Sequence, residues 1–187
     1  MSAKKFKTYN NVVNTLLQIG ELHEQIHTTS VGDIFDIDLE KNTLFPLLHI
    51  NPVNISTGDT ELIYNFQFFI MDLVSEKADW TKNNYETNFT KLYKTLSNEQ
   101  DVFSETLQIC TDFIAALRHS GLQSSKSGTF DINEPIYFTQ DQFTIEPFTE
   151  RFDNLACGWV WNMGIVTQND FDSCNIPLSS TSNGAGY

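Results

Sequence analysis

Cysteine is scarce in this chain, and so is basic charge. Three cysteines, Cys110, Cys157 and Cys174, in 187 residues are too few and too scattered for a disulfide framework. None stands in a CxxC pair that would suggest a structural zinc or a dithiol redox site. Cys110 falls on an apolar helical stripe and reads as a small core residue. Eleven Lys and Arg stand against 24 Asp and Glu, a formal net charge of −13. Four of the eleven are Lys4, Lys5, Lys7 and Arg118, so no broad basic surface forms, which argues against a general DNA or RNA clamp. An acidic surface serves solubility, or forms a wall that nucleic acid slides past without sticking. No apolar run approaches the roughly 18 residues of a membrane-spanning helix. No hydrophobic segment follows the basic N-terminal residues, so no signal peptide is expected.

Catalytic signatures are lacking as well. There is no glycine-rich phosphate loop, no GxSxG, no HExxH and no clustered His/Cys set. Asp36 and Asp38 alternate along a strand-like stretch and are the nearest thing to a carboxylate pair. A solvated strand face accounts for them, since no His or third acid lies close in sequence. His49, inside another apolar run, reads as a satisfied, half-buried imidazole. His119, near a helix end, suits the helix dipole. Nothing in the sequence brings these four together. Asp170 and Asp172 followed by Asn175 lack the central glycine and terminal glutamate of a calcium loop. The charges of Glu150, Arg151 and Asp153 read as a turn-stabilising pair or a subunit contact. Two glycosylation sequons, at Asn54 and Asn88, carry no weight without a secretion signal. No catalytic, cofactor-binding or metal-binding residue is therefore assigned, and no cofactor is expected.

Aromatic residues are plentiful: 15 Phe, 6 Tyr and 3 Trp. They can build a substantial core in one domain of this length. The chain is organised around the stretch from Ser97 to Gly121. Ser97 and Gln100 have capping-box spacing. Phe103, Leu107, Cys110, Ile114 and Leu117 recur at steps of four and three, widened by Phe113. Gly121 reads as the stop of a helix of about five turns. A second amphipathic helix is expected over Phe6–Ile26, frayed or broken at Gly20, followed by a loop at His27–Ser30 and Gly32.

Strands are expected at Asp33–Leu39, at Phe45–Val53, and most strongly at Glu61–Val74. Pro46 and Pro52 mark the second of these as an edge or a bent strand, and Asn54–Thr60 reads as a turn. Leu62, Tyr64, Phe66, Phe68 and Ile70 lie on one face of the third; Ile63, Phe69, Met71 and Leu73 lie on the other. At about 3.3 Å per residue it would be ~45 Å long, which implies a bent element or a projecting hairpin arm. Phe89–Leu96 has helical spacing. A short strand is expected within Phe130–Phe138. A closing hairpin follows, turning near Asp153–Asn154, with Trp159, Trp161, Met163 and Ile165 on one face and Gly158 and Gly164 as candidate bulges. The sum is an α+β domain over residues 1–177, an antiparallel, twisted sheet of long hairpin strands packed by two main helices. Residues 178–187 are expected to form a flexible Ser/Gly-rich tail, mobile or partner-bound.

This order of elements, with FDIDLEKNTLFPLLHINPVN, ELIYNFQFFIMDLV, NEQDVFSETLQICTDFIAALR and EPFTERFDNLACGWVW, resembles the ring-forming neck and tail proteins of tailed bacteriophages. These are the tail terminators and related tail-completion or head-tail connector proteins. The stretches are similar to structural proteins of phages of Bacteroidetes hosts, crAss-like phages among them. The chain departs from that pattern in the long Asp79–Ser97 link and the Ser/Gly tail. The resemblance implies a non-enzymatic virion protein, assembled in the host bacterial cytoplasm, that joins the head and portal complex to the tail. It further implies a homo-oligomeric ring of six or twelve subunits in contact with portal, connector or tail proteins. Genome DNA would pass through the lumen without sequence-specific binding, and no membrane would be involved. The alternative is a monomeric small α+β ligand-binding or accessory protein of a phage.

Overall fold

The computed structural model describes residues 8–33, 43–74, 98–127, 138–139, 142–151 and 155–168. They form an α+β fold with two helices on one face of a mixed, mostly antiparallel sheet. In chain order the elements are α1 (Tyr9–Leu22), β1 (Thr28–Val31), β2 (Leu47–Thr57), β3 (Glu61–Leu73), α2 (Glu99–Ser127), β4 (Phe138–Thr139), β5 (Ile145–Arg151) and β6 (Leu155–Gln168). Across the sheet the order is β1-β2-β3-β6, and β4 and β5 share the last position by pairing with different parts of β6.

β3 is the centre of the sheet. It pairs with β2 on one side and along its whole 13 residues with β6 on the other, from Glu61–Gln168 to Leu73–Ala156. The expected projecting arm is therefore corrected: the 14-residue β6 matches β3 residue for residue, which is why so long a strand can be apolar on both faces. The alternation read from sequence holds. Tyr64, Phe66, Phe68 and Ile70 enter the main core with both helices, while Phe69 and Met71 join Leu47 on the opposite face, beside Phe45, Phe148 and Val160.

The sheet is not wholly antiparallel. The polar stretch His27–Ser30, expected as a loop, instead supplies most of β1, which runs parallel to β2 from Thr28–Leu47 to Val31–Ile50. Thr28, Thr29 and Val31 are β-branched and suit a strand, and the open edge of β2 supplies the bonds. β2 also runs farther than expected, to Thr57, with only residues 58–60 left for the turn, where the Gly58 N–H donates to the Glu61 carbonyl (2.9 Å). Its polar end is held by side chains: Asn65 Nδ2 donates to Asn54 Oδ1 (2.7 Å) and to Ser56 Oγ (3.3 Å). Val53 is an extra residue, a bulge between the Pro52–Phe66 and Asn54–Asn65 pairs. The Ile50 carbonyl accepts from the Gly32 N–H across the outer edge. Strand alternation aims the Pro52 nitrogen the same way, so its missing N–H costs no bond to β3.

α1 begins at Thr8, whose hydroxyl accepts from the Asn11 N–H (3.4 Å). It is unbroken at Gly20, contrary to expectation. There the helix crosses the sheet so closely that an added Cβ would sit 2.8 Å from Leu48 Cδ2 and from Thr29 Oγ1. α2 is 29 residues long and runs through Gly121 rather than stopping there; one interior glycine costs about 1 kcal/mol and does not end a helix by itself. Its buried face, Val102, Thr106, Ile109, Cys110, Phe113, Ile114 and Leu117, is rotated slightly from the expected stripe, leaving Phe103 and Leu107 half-buried. Thr106 tolerates burial because its hydroxyl donates back to the Val102 carbonyl.

β5 and β6 form the expected hairpin, closed by the Arg151–Leu155 pair. Trp161, Met163 and Ile165 are buried in the main core. Trp161 stacks on Phe68 (5.1 Å, 12°), and Phe113 of α2 meets both rings, at 6.2 and 5.6 Å. Gly158 and Gly164 are not bulges, since the β3–β6 register is continuous. At Gly158 an added Cβ would overlap the Ile70 carbonyl oxygen and lie 2.8 Å from Met71 Cα. Ser97, the expected strand Asp33–Leu39 beyond Asp33, the Phe89–Leu96 helix, residues 130–137, the 153–154 turn and the 178–187 tail lie outside the described residues.

Phe68→Ala is expected to cost about 3–5 kcal/mol, the range for removing a buried aromatic ring. Gly158→Ala is expected to destabilise by about 1–3 kcal/mol or more through backbone overlap. Urea unfolding followed by tryptophan fluorescence checks both.

Candidate functional site

Of the four residues weighed from sequence, Asp36, Asp38, His49 and His119, the described residues include the side chain of His49. His49 is 1% exposed on β2, and its Nδ1 lies 2.8 Å from Ser30 Oγ, its register partner on β1. The pair joins the parallel strands, and the ring lies 6.1 Å from Phe69. Asp36, Asp38 and the His119 side chain lie outside the described residues, as do Asp170, Asp172 and Asn175. Among the described residues no group of three or more His, Cys, Asp and Glu could hold a metal ion.

Titratable groups do gather where α2 begins, against the ends of β3 and β6. Asp72 and Cys157 are register partners, and the Cys157 thiol lies 4.0 Å from the Glu99 carbonyl. Burial, then the charges of Glu99 and Asp72, push the Cys157 thiol up to about 12. Burial alone pushes Cys110 up to about 12. Such thiols stay protonated near neutrality and are poor nucleophiles. Burial also raises the Asp72 carboxyl, against the opposing pull of the Leu73 N–H and His27. The neighbouring Trp159 fixes α2 to β6: its Nε1 donates to the Phe103 carbonyl (2.8 Å), and its ring meets Phe103 edge-on at 5.6 Å.

Among the described residues, two concave surfaces lie at opposite sides of the strand order. The larger, about 740 Å³, runs between α2 and the segment entering β5. Ile114, Ala115, Phe143 and Ile145 give it an apolar lining, with Thr111, Gln142 and Thr144 as polar points. Arg118 closes one end: its guanidinium lies 5.3 Å from the centre of the Phe143 ring, and Nε donates to Thr139 Oγ1 (3.2 Å).

The second surface, about 370 Å³, lies where the β2–β3 ribbon extends past the start of α1. Tyr9 packs there on Tyr64 (6.3 Å) and Phe66 (6.4 Å). Beside it Val53 and Ile55 are 54% and 52% exposed, and Tyr9 is 43% exposed. Sequence reading placed Val53 at a strand end and Ile55 in a turn. The alternation of apolar Val53 and Ile55 with polar Asn54 and Ser56 was the available signal for an outward-facing strand.

No protein-family model matches the chain, and no curated protein is significantly similar to it.

In a Cys174→Ser background, Cys110 and Cys157 are expected to resist a thiol reagent at pH 8 in the native protein and to react promptly in urea. Asp72→Asn is expected to raise the melting temperature at neutral pH. A carboxyl raised on folding favours the native state while it is protonated, and that advantage is lost as pH rises through the native value. The two proteins should therefore converge in stability below the ordinary carboxyl value of 3.8, which thermal melts across pH would reveal.

Proposed function

We propose that this chain is a non-catalytic structural subunit of a phage virion, assembling into a ring of the tail-terminator or head-tail connector kind between head and tail. The supporting observation is the pair of unlike surfaces at opposite sides of one sheet. One is an exposed apolar ribbon around Val53 and Ile55; the other is an apolar groove beside Arg118. A subunit that meets its neighbours through two different surfaces builds rings when the rotation closes. The resemblance of the strand and helix stretches to phage neck and tail proteins supports placing that ring in a virion. The net charge of −13 suits a channel wall, since acids repel phosphate where a basic lining would hold it.

Electron micrographs of the purified chain are expected to show closed rings of one stoichiometry. Immunogold labelling is expected to fall at the neck or tail of virions that carry the chain. A protein that stays monomeric up to its solubility limit overturns the ring, and labelling elsewhere in the virion overturns the placement.

A further inference from the structure

Both edges of the sheet resist simple strand addition. β5 carries Glu146, Pro147 and Glu150, and charge with proline blunts an edge. The distal half of β2, past the end of β1, contains Pro52 and the Val53 bulge, which interrupt any new ladder. Yet this second edge lacks the charge that normally guards an exposed strand. From Asn51 to Thr57 there is no ionisable side chain, in a protein of net charge −13. Two acidic molecules meet less local like-charge repulsion at such a strip than elsewhere on their surfaces. Among the exposed side chains there, Val53 and Ile55 are apolar, between the polar Asn54, Ser56 and Thr57, and these two need a cavity rather than a strand.

Such a cavity exists on the far side of the same molecule. The α2–β5 groove is concave and offers the apolar Ile114, Ala115, Phe143 and Ile145, where the ribbon exposes Val53 and Ile55. Charge also matches: Asp59 and Glu61 sit at the ribbon tip, and the guanidinium of Arg118 lines the groove.

We infer that the occupant of the groove is a second copy of this chain, which inserts Val53 and Ile55 of its β2–β3 ribbon between α2 and the start of β5. The acidic ribbon tip lies toward Arg118. The contact is head-to-tail, because the ribbon and the groove belong to opposite sides of the strand order. This inference rests on the ring reading above and adds which surfaces meet.

Two exposed positions test it: Ile55→Asp on the ribbon, and Ala115→Glu on the groove wall. Each variant retains one intact surface. Light scattering is expected to give a ring mass for the wild type, a single-subunit mass for either variant alone, and a two-subunit mass for their equimolar mixture. The mixture also reports folding, since a misfolded variant could not restore the contact. If either variant alone still forms rings, or the mixture stays monomeric while circular dichroism and thermal melts match the wild type, the pairing is overturned and the ring reading stands. If the wild type is itself monomeric, the ring reading fails first.

Discussion

The stack of Phe68 on Trp161, braced by Phe113, is the contact on which the rest of the structure depends. It joins the two longest strands to the longer helix at the middle of the main core. Aromatic pairs of this kind add about 0.5–1.5 kcal/mol beyond the area they bury, and here three rings share the gain. From this point the core extends along β3 through Phe66 to Tyr9 at the start of α1. It extends through Trp159 to Phe103 at the start of α2. The helices are thus pinned near their first turns, and the distal ribbon continues beyond α1 with Val53 and Ile55 uncovered.

That arrangement separates stability from the surfaces proposed for assembly. Val53, Ile55 and Ala115 are exposed, whereas the groups that hold the sheet together are buried. Side chains at the proposed contact can be changed without opening the core. The groove wall is itself held by a local device, Arg118 spanning Phe143 and Thr139, which keeps α2 and the approach to β5 at a fixed separation.

Much of the fold was legible because strong periodicity leaves few alternatives. The two-faced alternation of β3, the Trp161–Met163–Ile165 face of β6, the β5–β6 hairpin and the existence of both helices follow from apolar spacing alone. What sequence misread were places where tertiary contacts decide the outcome. Thr28 to Val31 form a strand because β2 offers bonds, and Thr106 enters the core because its hydroxyl finds the Val102 carbonyl. α2 passes Gly121 because helical bonds continue around it. The candidate site was less legible still. Ala115 and Phe143 come from distant segments, and nothing in their local sequence indicates that they line one groove. Ile55 lay hidden within a run of turn-forming residues.

The pairing of β3 with β6 sets a timetable for folding during synthesis. β3 can form its hairpin with β2 early, but its other edge must wait for the strand that pairs Leu73 with Ala156 and Glu61 with Gln168. Until then the ribosome-bound chain carries an apolar edge rich in phenylalanine, the kind of surface that aggregates or recruits chaperones. Long-range pairing of this kind also slows folding relative to local contacts. Fragments ending before Leu155 would retain the most adhesive strand of the molecule without the partner that shields it.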